Sequence, residues 1–159
     1  MSELAREDYI RLVEKDYFGN VVAGNLQQIL DCFTDDIAVT IRHGDNPPRQ
    51  FSKQGTEGTS KLEDFYKHLC GNFSPWFGEF DHYIDLPEQR CSCSFVVKLD
   101  PLPASDYLEA GPQTLRNCNF FKYRDGKIEE MIIYYSNYES GLEQGPTGYP
   151  KEGWQSTDE

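Results

Sequence analysis

The 159-residue chain sets 27 Asp and Glu against 15 Lys and Arg, a formal net charge of −12, and holds 38% hydrophobic residues, including ten Tyr and ten Phe. That is one domain's length with enough apolar bulk for a core and a lined pocket, which excludes a disordered chain. The acidic balance, unopposed by any Lys/Arg cluster, speaks against nucleic acid and anionic membrane surfaces as partners; apolar runs such as Met131–Tyr135 fall far short of the roughly 20 residues of a membrane span.

Ile10, Val13, Tyr17 and Val21 recur three and four apart, the stripe of an amphipathic helix. Gly24-Asn25 breaks and recaps the chain, and Leu26, Ile29, Leu30 and Phe33 form the face of a shorter second helix. From Asp36 the period becomes two, with Ile37, Val39 and Ile41 on one face, a strand whose inner face His43 continues. Residues 44–58, with two prolines and two glycines, read as a loop. A third helix follows, with Ser60 and Glu63 spaced as a capping box and Leu62, Phe65, Tyr66 and Leu69 on its apolar face. Strands are expected near 79–86, 90–99, 113–123 and 127–137, with an irregular connection over 100–112 and a hairpin turn at Arg124-Asp125-Gly126.

Helices first and antiparallel strands after predict an α+β domain over residues 1–137, three helices packed on a curved sheet. The last strand is apolar on both faces: Met131, Ile133 and Tyr135 on one, Ile132 and Tyr134 on the other. Such a strand must be covered twice, which predicts a homodimer through the sheet face, with cover by the chain's own tail as the alternative. Residues 138–159, rich in Gly and Pro but keeping Tyr149 and Trp154, read as an extended or mobile arm.

Five cysteines and an N-terminus without an apolar signal segment fit a reducing, cytoplasmic setting. Cys91-Ser-Cys93 puts two thiols on one strand face, but no further ligands stand at zinc-binding spacing, so no metal is expected.

Tyr17, Gly24-Asn25-Leu26, Phe33-Thr34-Asp35-Asp36, Phe65-Tyr66, and Asp125-Gly126-Lys127-Ile128 leading into Met131–Asn137 follow one another in an order that resembles the ketosteroid isomerase and SnoaL-like polyketide cyclase branch of the nuclear transport factor 2-like superfamily. The likeness covers about residues 5–140. It implies a cone, a curved antiparallel sheet around helices with an apolar pocket inside, needing no cofactor. It also implies roles. The oxyanion tyrosine of ketosteroid isomerase falls on Tyr17, and its protonated aspartate falls on Asn119, which still offers N–H donors. The proton-shuttling aspartate falls on Ile41, and the last-strand carboxylate of cyclases and epoxide hydrolases falls on Ile133, neither of which can move a proton.

On residue chemistry alone, Tyr17 either polarises a carbonyl or is a core tyrosine bonded to backbone. Asn117 and Asn119, two amides on one strand face, form a polar pocket wall, a structural network or an exposed face. A two-residue final turn would set Asn119 opposite Ile132. A three-residue turn would set it opposite Met131, and the resemblance favours that register, with a wall of Asn117, Asn119, Phe121, Met131, Ile133 and Tyr135. His43 is the candidate base, if it turns into the mouth rather than to solvent, while His68 reads as a packed or surface residue and His82 as a strand-surface residue. The expected function is a small-molecule pocket for a hydrophobic carbonyl or hydroxyl compound, lined also by Ile41 and Phe65. It would serve isomerase, dehydratase or cyclase-like chemistry, or else ligand carriage or association without catalysis.

Overall fold

The computed structural model describes residues 3–44 and 46–137. The arm expected over 138–159 lies outside them. The chain starts with helix α1 (Arg6–Arg11), whose first turn is fixed by the Asp8 carboxylate accepting the Ala5 N–H at 2.8 Å. A π-helical segment, Leu12–Phe18, carries α1 into α2 (Gly19–Ala23). Gly24, at φ 70°, ends α2 in the left-handed region that glycine adopts without strain, and α3 (Leu26–Asp31) turns back.

Seven strands follow: β1 (Phe33–Arg42), β2 (Arg49–Ser52), β3 (Ser60–Lys61), then after α4 (Leu62–Asn72) β4 (Phe73–Asp85), β5 (Arg90–Pro101), β6 (Gln113–Arg124) and β7 (Lys127–Asn137). They form one sheet in the order β3-β2-β1-β7-β6-β5-β4, the helices lying on its inner face. The α+β class stands as expected. The wholly antiparallel sheet does not, because β1 pairs with β7, and β2 with β3, in parallel. The reason is the shared starting point of β1 and β7 at the closed end, where Ile128 N–H donates to the Cys32 carbonyl at 2.8 Å. β1 begins at Phe33, before the expected Asp36, and the loop over 44–58 contains the short strand β2.

The capping box at Ser60 and Glu63 is not formed. The N-cap is Lys61, and Glu63 is drawn to Lys67 on the next turn at 2.6 Å.

Bulges set which residues face inward. Between Gly78 and Asp81, β4 has one residue more than its partner, with Glu79 at φ 55° absorbing it. Inward parity therefore switches from Phe77 to Phe80 and His82, and both phenylalanines reach Phe18, ring centroids 4.6 and 5.4 Å away. His82 is thus no surface residue. Its side chain is 7% exposed and its Nε2 lies 2.6 Å from the Glu14 carboxylate, tying the sheet to the π-helical segment.

The final hairpin follows neither expected register. Asp125 and Gly126, at φ 52° and 77°, form a two-residue turn closing Arg124 on Lys127, and an extra residue between Ile128 and Glu130 then shifts the pairing. Asn119 stands opposite Ile133, Asn117 opposite Tyr135 and Phe121 opposite Met131. The bulge lets Ile128 and Met131, of opposite parity, both enter the core.

The five cysteines are free thiols. Burial pushes Cys91 up to about 12 and Cys93 higher still, and Cys32 is raised to about 11. Cys91 and Cys93 are therefore expected to react with an alkylating reagent only after unfolding. Their folded pKa values lie above the unfolded value of 9.0, so the unfolded state loses its protons first. This contribution to stability is whole below pH 9 and is lost as pH climbs through the folded values. Denaturant midpoints across that range check it.

Candidate functional site

Lateral pairing divides the inner face of the sheet into rows. The deepest is Val39, Met131, Phe121 and Cys91; the next is Arg49, Ile41, Ile133, Asn119 and Cys93; the third holds Tyr135, Asn117 and Phe95. Met131 and Phe121, 0% and 1% exposed, do not line the cavity; they are its packed floor, which corrects the expectation that they form its wall. Above them opens a cavity of about 370 Å³, bounded by the second row apart from Cys93, by the third row, by Tyr17, Phe18 and Val21, and by Phe65, Tyr66 and Leu69.

The π-helical segment makes the helix side of this cavity. Its consecutive residues Tyr17 and Phe18 are both buried against the chamber. The Tyr17 hydroxyl lies 2.6 Å from that of Tyr66 on α4, and both are buried. Burial drives both phenols far above their usual pKa, so both keep their protons at neutral pH. In the pair one hydroxyl donates and the other accepts, and the accepting one retains a proton to give. The partner of Tyr17 is therefore Tyr66, not the backbone.

Facing this pair are Asn119, 1% exposed, and Asn117. The side-chain oxygen of each is buried and meets no hydrogen-bond partner. A buried polar group without a partner costs about 1–3 kcal/mol, so a cavity with two such oxygens suits a guest that can donate to them.

His43 does not line the cavity. It stacks on Tyr135, centroids 4.3 Å apart and planes 9° from parallel, with its Nδ1 3.2 Å from Asn46 Nδ2. The strand ends at Arg42, and the imidazole lies flat on its neighbour instead of reaching inward. The histidine in the lining is His68 on α4, whose Nε2 is 3.0 Å from the Tyr107 hydroxyl and whose ring lies edge-on to Tyr107. Helical spacing already put His68 three residues from Phe65, on the same face. Tyr66, Tyr107 and Arg49 also line the cavity, and of these only the Phe65-Tyr66 pair left a trace in the sequence. Ile41, Ile133, Phe65 and Tyr135 line it as well. No Asp or Glu does; Asp16 and Asp64 lie elsewhere, and no group of three or more His, Cys, Asp and Glu among the described residues is placed to hold a metal ion.

No family model matches the sequence, and no curated protein matches it. Solved structures do. A presumed polyketide cyclase from Xanthomonas campestris pv. campestris superposes with a TM-score of 0.63 at 18% identity, over 82% of this chain and 91% of that one. A cystatin-like protein of unknown function from Methylobium petroleophilum PM1 gives 0.62 at 12%, over 90% and 86%. The epoxide hydrolase/cyclase-like enzyme SalBIII, of pyran ring formation in the polyether salinomycin, gives 0.58 at 11%, over 82% and 92%. The chain has the cystatin-like, nuclear transport factor 2-like fold that its sequence resemblance implied. At these identities the likeness carries the fold alone. Among the described residues no helix is long and apolar enough to cross a membrane.

Proposed function

We propose that the chain binds a hydrophobic carbonyl or hydroxyl compound in this cavity and acts on it as an isomerase or cyclase-like enzyme. The observation that carries the reading is that the unpartnered side-chain oxygens of Asn119 and Asn117 and the Tyr17–Tyr66 hydroxyl pair line one largely apolar chamber. The cyclases and cyclase-like enzyme that share its fold agree with it. In an enolisation, the proton on the carbon beside the substrate carbonyl passes to a ring nitrogen of His68 and the electron pair moves onto oxygen. A tyrosine O–H and an Asn N–H hold the resulting charge, and return of the proton to another carbon releases the isomer.

A second reading keeps the pocket without the chemistry, because the lining has no carboxylate and isoleucines stand at the two positions, 41 and 133, where the resemblance would put one. Calorimetric titration with bicyclic enones and naphthols tests both. Binding weakened at least tenfold by Tyr66→Phe supports a pocket of either kind, and turnover lost in His68→Gln while binding persists supports the enzyme. An enone that turns over equally well in His68→Gln removes the proposed proton transfer.

We also propose that the outer sheet face pairs with a second copy. Phe120 and Tyr134 are 46% and 44% exposed there, in edge contact at 5.9 Å, and the neighbouring Lys122 and Glu130 supply the opposite charges a two-fold patch needs. Sedimentation should show a dimer that Phe120→Glu dissociates; a monomeric wild type at all concentrations contradicts it.

A further inference from the structure

Arg49 and Asn119 share one lateral row of the sheet, separated only by Ile41 and Ile133. Directly paired residues of neighbouring strands project to the same face, so Arg49 stands on the cavity side with Ile41 and lines the chamber. Two residues along β2, Phe51 points the same way and packs on Phe65, ring centroids 5.4 Å apart. Arg49 therefore lies one step outward from that contact, as His68 lies one helical turn beyond Phe65. Three strand spacings separate the Arg49 and Asn119 backbones, about 14 Å along the sheet.

Its place singles out this arginine, the one Lys or Arg among the described residues of the cavity lining. Arg124, Arg90, Arg11, Lys53, Lys67 and Lys122 are each held by Asp or Glu. Arg49, like Arg6, Arg42 and Arg116, has no such partner among the described residues, but it alone of these borders the cavity, whose lining holds no carboxylate to claim it. A chain of net charge −12 repels anions nearly everywhere else. Here a planar guanidinium with five donors, matched to a carboxylate, borders an apolar chamber.

We propose that the ligand is an elongated amphipathic acid, its carboxylate on Arg49, its apolar body across Ile41 and Ile133, and its hydroxyl or carbonyl oxygen on Asn119 and the tyrosine pair. This rests on the pocket reading above and adds the second pole. Ile41 and Ile133 then have a use, since the floor between the poles must be apolar and uncharged to seat such a body.

The test compares a hydroxynaphthoic acid bearing its two groups at opposite ends with its methyl ester, by calorimetry on the whole chain in low salt and again in high salt. The acid is expected to bind at least tenfold more tightly than the ester, with the advantage shrinking in high salt and the acid-to-ester ratio falling to near one in Arg49→Gln. Arg49→Lys should restore part of it. Arg49 is exposed on a short strand, and thermal melts verify that each variant is folded. Equal binding of acid and ester by the wild type, or a preference that survives Arg49→Gln, overturns the inference while leaving the pocket reading intact. Failure of acid, ester and enone alike overturns both.

Discussion

Asn119→Leu is expected to make the protein more stable and its pocket less effective. The amide is 1% exposed, and its oxygen has no partner. Leucine has nearly the same reach and removes the uncompensated desolvation, worth about 1–3 kcal/mol, or roughly 2–4 °C of melting temperature for each kcal/mol in a domain of this size. Affinity for a hydroxyl ligand, whose O–H that oxygen would accept, should fall at least tenfold, the loss of one hydrogen bond. Opposite signs in the two measurements mark a residue kept for binding at the expense of the fold. A melting temperature that falls would mean that the amide is satisfied in the resting protein, and the reading of Asn119 would fail with it.

The second large effect lies in the tyrosine pair. Tyr17→Phe removes one hydroxyl and strands the buried other, as does Tyr66→Phe, so each should cost about 1–3 kcal/mol. The double variant strands nothing and keeps the edge-on ring contacts of Tyr17 with Phe33 and Phe121. It should therefore cost markedly less than the two single changes added together, a coupling that a double-mutant cycle from denaturant midpoints reads directly. Additive costs would show that the two hydroxyls do not depend on each other. Binding should tell a different story: the double variant, with no hydroxyl left to donate, should bind the enone no better than either single one.

Much of the fold was open to reading from composition and period. The two-residue alternation put Asn117 with Asn119 on one face of β6 and Ile133 with Tyr135 on one face of β7, the resemblance joined the two in one wall, and the structure places all four with Ile41 in the cavity lining. What escaped were the places where one residue too many enters a regular element. The Glu79 bulge that turns His82 inward and the extra residue near Glu129 each reverse parity without changing the pattern of residue types on either side. His43 failed for a related reason: continuing the period past Arg42 assumed a strand that had already ended. Tyr66 and Arg49 become site residues only through partners 49 and eight positions away in sequence, Tyr17 and Ile41, and no local spacing encodes such meetings.

The side-chain amide resonances of Asn117 and Asn119, followed by nuclear magnetic resonance as a bicyclic enone is titrated into the labelled protein, report on the chamber most directly. The account predicts that both pairs of amide protons move on saturation, while those of Asn20, already committed to the Asp16 carbonyl at 2.6 Å, stay in place. Saturable binding that leaves Asn117 and Asn119 unmoved would put the guest somewhere else on the molecule and contradict the account.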